Sequence, residues 1–210
     1  MEIDVKYLYD IPRYWPQMKS LGLPQYQYTV RELSTGAQFL AYGSELSTTY
    51  AEITIRRLLQ HLEKYGVDLR EVIAQSDNGG EFDGQAIKKK DRGFTHTVEK
   101  IFSATHLRIP PGCKNAQADV ETVHNLIEDE FFDIESFRNR RDFFAKITTY
   151  QNFFNLARKN GSRKYKSPLD LMKEKAPHLD PRILCLPPID LDATFSSKAV
   201  HDVPSLAGGY

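Results

Sequence analysis

The stretch IAQSDNGGEF, residues 73–82, places a carboxylate directly after a short apolar run. The run over 72–74 predicts a buried strand, and Asp77 follows it within three residues. The Asn-Gly-Gly at 78–80 then predicts a sharp turn, because Gly tolerates positive φ and Asn bonds to its own backbone. One interpretation is a turn alone. The other is an acid held at a strand's carboxyl end, where open α/β sheets place their sites, and it requires partner acids.

Asp4 is the first candidate partner. Residues 2–11 alternate between two faces, which predicts a strand that carries Asp4. If this strand lies beside the one that leads to Asp77, the two backbones are about 4.8 Å apart and both carboxylates can reach one divalent ion. Without a metal, the two carboxylates repel each other and one tends to stay protonated.

Glu121 is the candidate for a third acid. It lies on a predicted helix, about 100° round from Val120 in the apolar stripe, so its carboxylate can point over the sheet edge toward Asp4 and Asp77. Considered alone, Glu121 is an ordinary exposed helix acid. Two rivals are less suitable, because Asp119 lies about 200° round the helix from Glu121 and Glu128 about 10 Å further along its axis.

The composition indicates a globular protein with one core. The chain has 210 residues, of which 40% are hydrophobic, and a net charge of zero. No apolar run approaches the length of a membrane span, and no signal peptide opens the chain. Cys113 and Cys185 lack zinc-site spacing, which favours a reducing compartment.

The zero net charge conceals a separation of charge along the chain. Residues 138–175 contain eleven Lys or Arg against three acids, a local net charge of +8. Residues 119–135 contain seven acids and no Lys or Arg. Such runs are commonly solvated faces, but a basic segment beside an acidic one also suits a metal-dependent enzyme that acts on a polyanion.

The periodicities predict an α/β fold with a five-stranded mixed sheet, three antiparallel strands followed by two parallel strands, and helices on both faces. Residues 12–25, with three prolines and the only tryptophan, predict a loop. The Pro-rich residues 177–210 predict an extended tail or linker to a missing C-terminal region. The predicted strands are 2–11, 26–33, 37–42, the run before Asp77, and 104–109. The first predicted helix starts at Thr49 and stops at Gly66, and the others cover 94–102, 116–134, 140–159 and 166–174.

Three motifs occur in order on these elements: an Asp in the first strand, SDNGGEF after the fourth, and N-A-x-x-x-x-E on the following helix. This pattern resembles the catalytic core of retroviral-type integrases and bacterial insertion-sequence transposases, the DDE superfamily. The resemblance runs from about residue 2 to 172. It includes the family's Tyr-Asn…Arg…Thr-Pro ending, which here consists of Tyr150, Asn155, Arg158 and Ser167-Pro168, with Ser in place of Thr. The sequence departs from the family in spacing, because forty-three residues separate Asp77 from Glu121, where about thirty-five are common.

The resemblance implies a ribonuclease-H-like fold over residues 1–176 and a DNA transposase or integrase that performs metal-dependent 3′-end cleavage and strand transfer. Asp4, Asp77 and Glu121 would be the catalytic residues and would hold two Mg²⁺ or Mn²⁺ ions. Element ends and target DNA would be the partners of a homodimer or larger homo-oligomer in the bacterial cytoplasm, acting at the nucleoid. The residues expected to contact DNA are Lys88, Lys89, Lys90, Gln117, Asn125, Arg158, Lys159, Arg163, Lys164 and Lys166.

Two other functions share these motifs. A ribonuclease-H-like nuclease would use the same metal site without strand transfer, and the ending after residue 150 argues for a transposase instead. A transposase-derived DNA-binding or assembly protein would not need the intact set of three acids. Within the 12–25 loop, Tyr14 and Trp15 could stack on bases, but core or inter-subunit packing is the favoured role for both.

Overall fold

The structure is a computed structural model that describes residues 1–83, 93–110 and 117–194. A mixed six-stranded sheet with the strand order β5-β4-β1-β2-β3-β6 forms its centre. The first three strands form the predicted antiparallel meander, while β4 is parallel to β1 and β5 is parallel to β4. The strands are β1 Glu2–Tyr7, β2 Tyr26–Arg31, β3 Gln38–Gly43, β4 Ile73–Ser76, β5 Thr105–Arg108 and β6 Ile189–Asp190.

Helices cover both faces of the sheet, as predicted. One core joins Ile3 and Val5 of β1 to the second and fourth helices, and the other joins Leu40 and Tyr42 of β3 to the first, fifth and sixth helices. The two cores follow from the strand alternation, because successive side chains leave opposite faces. The helices are α1 Trp15–Leu21, α2 Thr48–Lys64, α3 Gly80–Asp83, α4 Phe94–His96, α5 Ala118–Ile127, α6 Arg140–Leu156 and α7 Pro168–Lys175, and π turns Thr97–Ile101 and Glu128–Phe132 extend α4 and α5.

The sheet has six strands rather than five, and the prediction of an extended tail from residue 177 is wrong for the part that forms the sixth. Ile189 and Asp190 pair in parallel with Ala41 and Tyr42 of β3. A short 3-10 helix, Pro181–Cys185, precedes this strand and buries two aliphatic side chains in the core. The few apolar side chains between the prolines therefore bind the segment to the domain. Residues 195–210 lie outside the described residues.

The predicted loop over 12–25 contains α1. Tyr14, which precedes it, is fully buried and donates a hydrogen bond to the Pro24 carbonyl at 2.9 Å. Pro16 occupies the first turn, where a missing N–H costs nothing, and Gly22 ends the helix in a left-handed conformation at φ 61°. Trp15 is 42% exposed, so the core-packing expectation holds for Tyr14 alone.

Side chains of α6 form hydrogen bonds to the outer backbone edge of β3 at Gln38 and Leu40. Asn155 is fully buried, accepts from the Gln38 amide and donates to the Gln38 carbonyl. Gln151 accepts from the Leu40 amide at 2.9 Å. These bonds satisfy backbone groups that would otherwise form an open sheet edge, which is where unpaired strands aggregate. Asn155 belongs to the Tyr-Asn…Arg ending noted above, and its role here is structural.

Among the described residues, no helix combines the length and the apolar character that crossing a membrane requires.

Candidate active site

Asp4 lies on β1, and Asp77 directly follows β4, the parallel strand beside it. The register pairs Glu2 of β1 with Gln75 of β4. Asp4 lies two residues after Glu2, and Asp77 lies two residues after Gln75. The predicted adjacency is therefore confirmed. Parallel strands lie about 4.8 Å apart, so the two carboxylates share one end of the sheet.

The turn after β4 holds Asp77 in place. Its carboxylate accepts a hydrogen bond from the Gly79 amide at 2.8 Å, the arrangement by which Asp stabilises a following turn. The side-chain amide of Asn78 donates to the Ile109 carbonyl at 2.8 Å, which ties the turn to the end of β5. The Asp-Asn-Gly run thus forms a turn and also holds an acid at the end of a strand, so the two interpretations of this stretch are compatible.

Side chains from two directions hold α5 against β1. Gln117, just before the helix, donates to the Ile3 carbonyl at 3.0 Å. The Glu2 carboxylate accepts from the amide of Val120 in the first helical turn at 3.0 Å, and a negative charge is favourable there. These two contacts place Glu121 on an exposed part of the helix next to the strand that carries Asp4.

The electrostatics link the acids. The pKa of Asp4 is raised to about 7, chiefly by burial, which a backbone hydrogen bond from Val5 opposes and to which the negative charges of Asp77, Glu81 and Glu121 add. The charges of the other two predicted acids therefore reach Asp4, since a like charge nearby disfavours ionisation.

Both rivals of Glu121 are occupied by ion pairs. Asp119 accepts from Arg31, which is fully buried, and from Arg163 at 2.9 Å. Glu128 accepts from Lys6 at 2.6 Å. Of Asp119, Glu121 and Glu128, Glu121 is the one whose charge contributes to the raised pKa of Asp4.

Glu81 is a fourth acid near the site that the sequence analysis did not assign. It lies in α3, one turn after Asp77, and burial followed by the charge of Asp77 raises its pKa. Gly79 makes room for it, because a Cβ at that position would lie 2.8 Å from the Glu81 carboxylate. Glu81 is the Glu of the SDNGGEF motif, but the sequence does not show where its side chain points, because that depends on the conformation of the turn.

His124 is a second residue that the sequence analysis left unassigned. It is 8% exposed, and its Nδ1 lies 3.7 Å from the Asp4 carboxylate. Its Nε2 is 2.9 Å from the Thr29 hydroxyl on β2. Burial, with a further contribution from the charge of Lys6, lowers its pKa to about 3, so the ring is neutral.

The arrangement of strands and helices is similar to that of solved integrase structures. The catalytic core domain of BIV integrase gives a TM-score of 0.51 at 16% sequence identity, with coverage of 84% of this chain and 95% of that chain. The simian T-cell lymphotropic virus intasome in complex with PP2A regulatory subunit B56 gamma gives 0.56 at 13% identity, covering 81% of this chain and 52% of that one. The chain has the fold of an integrase catalytic core. By sequence, no family model and no curated protein matches it.

The acids of this integrase-type fold suit a hard divalent cation by chemistry. All four are carboxylates, the ligand type that Mg²⁺ and Mn²⁺ prefer, and the Asp4 carboxyl is one whose ionised form a cation would stabilise. In the described ranges, no three His, Cys, Asp or Glu side chains are close enough as they stand to hold one ion. The acids are therefore related by the charges that act on Asp4, and their carboxylates do not converge on one point.

The basic residues predicted to contact DNA are mostly engaged within the protein. Arg158 bonds to Glu130 through two nitrogens and is 18% exposed. Arg163 pairs with Asp119, and its second contact is the Leu33 carbonyl at 2.9 Å. The remaining pairs are Lys159 with Asp170 and Lys166 with Glu174.

The other predicted DNA contacts differ in their surroundings. Lys164 is exposed and, in the part of the chain that the structure describes, has no ion-pair partner. Asn125 is exposed on α5, whereas Gln117 is 8% exposed and bonded to β1. The lysines at 88–90 lie outside the described residues.

Proposed function

We propose that this chain is the catalytic core of a DNA transposase or integrase that cleaves 3′ ends and transfers strands with a divalent metal. The observation that carries the proposal is that Asp77 directly follows β4, the parallel neighbour of the strand that carries Asp4, and that the charges of Asp77 and Glu121 both act on Asp4. The integrase-type fold supports the same function.

The chain's own residues would create a strongly anionic end of the sheet. Asp4, Asp77 and Glu121 are the residues that would hold the ions, and Asp4 would give up its proton when they bind. Bound at these carboxylates, two Mg²⁺ or Mn²⁺ ions would activate the attacking oxygen and stabilise the leaving 3′ oxygen of a phosphodiester. No covalent bond between protein and DNA is needed, so Ser and Tyr need not act as nucleophiles.

The rest of the proposal concerns DNA contacts and assembly. Lys164 and Asn125 are exposed and suit phosphate contacts, and the lysines at 88–90 remain proposed contacts. Lys159 and Lys166 would contribute if they exchanged their carboxylate partners for phosphates. Assembly as a homodimer or larger oligomer on DNA is part of the proposal.

The test is a joining assay with the full-length protein. The donors are pre-cleaved duplexes from the DNA that flanks the gene, and the target is a plasmid. Joining is expected in Mg²⁺ or Mn²⁺, and Asp4→Asn and Asp77→Asn should each reduce it by at least about 100-fold while the fold is kept. Asp133→Asn, on an exposed acid, is the matched control and should join normally.

Other outcomes separate the alternatives. Metal-dependent cutting of DNA or RNA without joining would identify a nuclease. DNA binding that survives both substitutions, with neither cutting nor joining by the wild type, would identify a DNA-binding protein and contradict the proposal.

A further inference from the structure

Three tyrosines, two of them exposed and one partly buried, form an aromatic cluster where β1 ends. The ring centroids of Tyr7 and Tyr9 are 5.5 Å apart, and that of Tyr26 lies 5.5 Å from Tyr7 and 5.9 Å from Tyr9. Tyr7 is 39% exposed and Tyr9 is 37% exposed. The register pairs Tyr7 of β1 with Tyr26 of β2, so the sheet itself fixes two of the rings.

The cluster lies next to the carboxylates. Tyr7 follows Asp4 by three residues in one strand, which is about 10 Å along the strand axis. Burial raises the pKa of the Tyr7 phenol, and the charges of Glu81, Asp4 and Asp77 raise it further, so the acids lie within electrostatic reach of its hydroxyl. An odd separation puts the Tyr7 ring and the Asp4 carboxylate on opposite faces of the strand. A ligand that contacts both must cross the carboxyl end of the sheet.

We propose that Tyr7, Tyr9 and Tyr26 form a stacking site for an unpaired nucleobase of the DNA strand whose phosphate is held at the carboxylates. The inference rests on the proposed function and names a part of the substrate. The rise per nucleotide is about 3.4 Å in a duplex and larger in an unpaired strand, so the bound base would lie about two or three nucleotides from the reacting phosphate.

The chemistry of the cluster selects a base over a phosphate. Its neighbours are acids, which repel phosphates, and the cluster itself offers neutral ring faces. Every base has a π-face, so stacking on tyrosine requires no particular sequence. A paired base is already stacked in its duplex, so the site would take a base from a frayed or single-stranded end. Because the acids repel the adjoining phosphates, binding should strengthen when a divalent cation occupies them.

The experiment uses the full-length protein and DNA that carries 2-aminopurine, whose fluorescence falls when it stacks. The probes are a duplex with an unpaired 3′ extension and a single-stranded oligonucleotide, each with 2-aminopurine two or three nucleotides from the terminal phosphodiester. Ca²⁺ replaces Mg²⁺ to allow binding without turnover. We expect quenching with Ca²⁺, weaker quenching in EDTA, and none for 2-aminopurine within a paired duplex.

Substitutions then assign the site. Tyr7→Ala and Tyr9→Ala should each weaken binding of the unpaired probe by roughly 5- to 150-fold, the range for loss of one stacked base. Tyr7→Phe and Tyr9→Phe keep the ring and should retain quenching, which also controls for folding. Phe153→Ala is the matched control, since this ring on α6 is 52% exposed and lies outside the cluster.

The outcomes separate this inference from the proposed function. Equal quenching by wild type and both Ala variants would overturn the stacking site, while metal-dependent joining would leave the proposed function intact. Tyrosine-dependent quenching without any joining by the wild type would keep the stacking site and contradict the strand-transfer proposal. Quenching that falls equally in the Phe variants would show that the hydroxyls act instead of the ring faces, and the inference would be wrong.

Discussion

A buried chain of hydrogen bonds ends at His124, whose ring lies beside Asp4. The Tyr42 hydroxyl donates to the Gln27 side-chain carbonyl at 2.9 Å, and the Gln27 amide donates to the Thr29 hydroxyl at 2.9 Å. Thr29 therefore has its own hydrogen free for Nε2 of His124, 2.9 Å away. This leaves the hydrogen of the neutral ring on Nδ1, facing the Asp4 carboxylate at 3.7 Å.

From these hydrogen bonds we predict that His124 positions Asp4 as a metal ligand. Loss of an outer partner commonly costs about 10–100-fold in metal affinity or activity. We expect His124→Phe to raise the Mg²⁺ concentration for half-maximal joining about 10-fold, and Thr29→Val to give a smaller shift in the same direction. The measurement is a Mg²⁺ titration of joining beside a thermal melt. A lower melting temperature with an unchanged Mg²⁺ requirement would reduce His124 to a packing role.

Asp4 also makes metal-free stability depend on pH. Its carboxyl has a pKa near 3.8 in the unfolded chain and about 7 in the fold, so the folded state holds the extra proton between these values. Stability therefore falls as pH rises from about 4 to 7 and is constant above that range as far as this group is concerned. Denaturant unfolding in EDTA should give Asp4→Asn an advantage of about 1–3 kcal/mol at pH 8 that disappears by pH 4.

The controls for this prediction are an exposed acid and the cation. Asp133→Asn should leave the pH dependence as in the wild type. Adding Mg²⁺ at pH 8 should stabilise the wild type and not Asp4→Asn. The same pH dependence in both proteins would place the titrating group elsewhere.

At the scale of elements, local patterns were sufficient where one segment carries its own signal. The alternation of β1 located Asp4, and Ser167-Pro168 located α7, whose Ser167 and Asp170 form a reciprocal cap. The start of α2 was misplaced by a residue or two, since Ser47 caps it rather than Thr49. β6 has two residues and exists only because β3 offers a partner, so no local pattern could predict it.

The basic and acidic segments show the same limit for charge. They are separate in sequence, but the fold pairs them: Arg158 with Glu130, and Arg163 with Asp119. A run of charge in a sequence has no partner until the topology supplies one. The phosphate contacts of these two residues stay predictions, and in the fold both guanidinium groups bind acids of the protein itself.

Arg163 and Lys164 provide a direct comparison between a structural and a surface cation. Arg163→Ala leaves Asp119 with Arg31 alone and should destabilise the protein by about 1–2 kcal/mol, with little change in DNA binding. Lys164→Ala should not change stability, but should reduce the slope of log affinity against log salt by about 1. Denaturation and salt titrations of duplex binding measure both. An unchanged slope in Lys164→Ala would mean that this lysine is only a solvated side chain.

At the scale of the whole molecule, the site combines segments that are distant in sequence. Asp4 and Asp77 were predictable because an alternating strand that contains an acid and an apolar strand that leads to one are strong local signals. His124 and Glu81 were not, because their relation to Asp4 depends on how α5 and the turn after β4 pack against β1. The unusual distance from Asp77 to Glu121 is compatible with the fold, since the intervening chain still delivers α5 to β1.

The third acid is the final question that this assembly raises. Glu121 extends from a helix fixed to β1, whereas Glu128 is neutralised by Lys6 and Glu81 approaches from α3. Glu121→Gln keeps size and shape but removes the charge. We therefore expect it to reduce joining at least about 100-fold, with DNA binding kept and metal-free stability equal or higher, because one source of repulsion at Asp4 is gone.

Two matched variants make the assignment of the third acid decisive in the joining assay. Glu128→Gln should join normally at saturating Mg²⁺ and lose some stability with its Lys6 pair. Glu81→Gln should retain most joining, since Glu121 completes the set in this scheme. Joining that survives Glu121→Gln and is lost in Glu81→Gln would assign the third ligand to Glu81 of α3. Joining that is lost in Glu128→Gln alone would assign it to Glu128, in the π turn that follows α5. Either result would mean that the carboxylates meet at a different position around Asp4 from the one that Glu121 of α5 can reach.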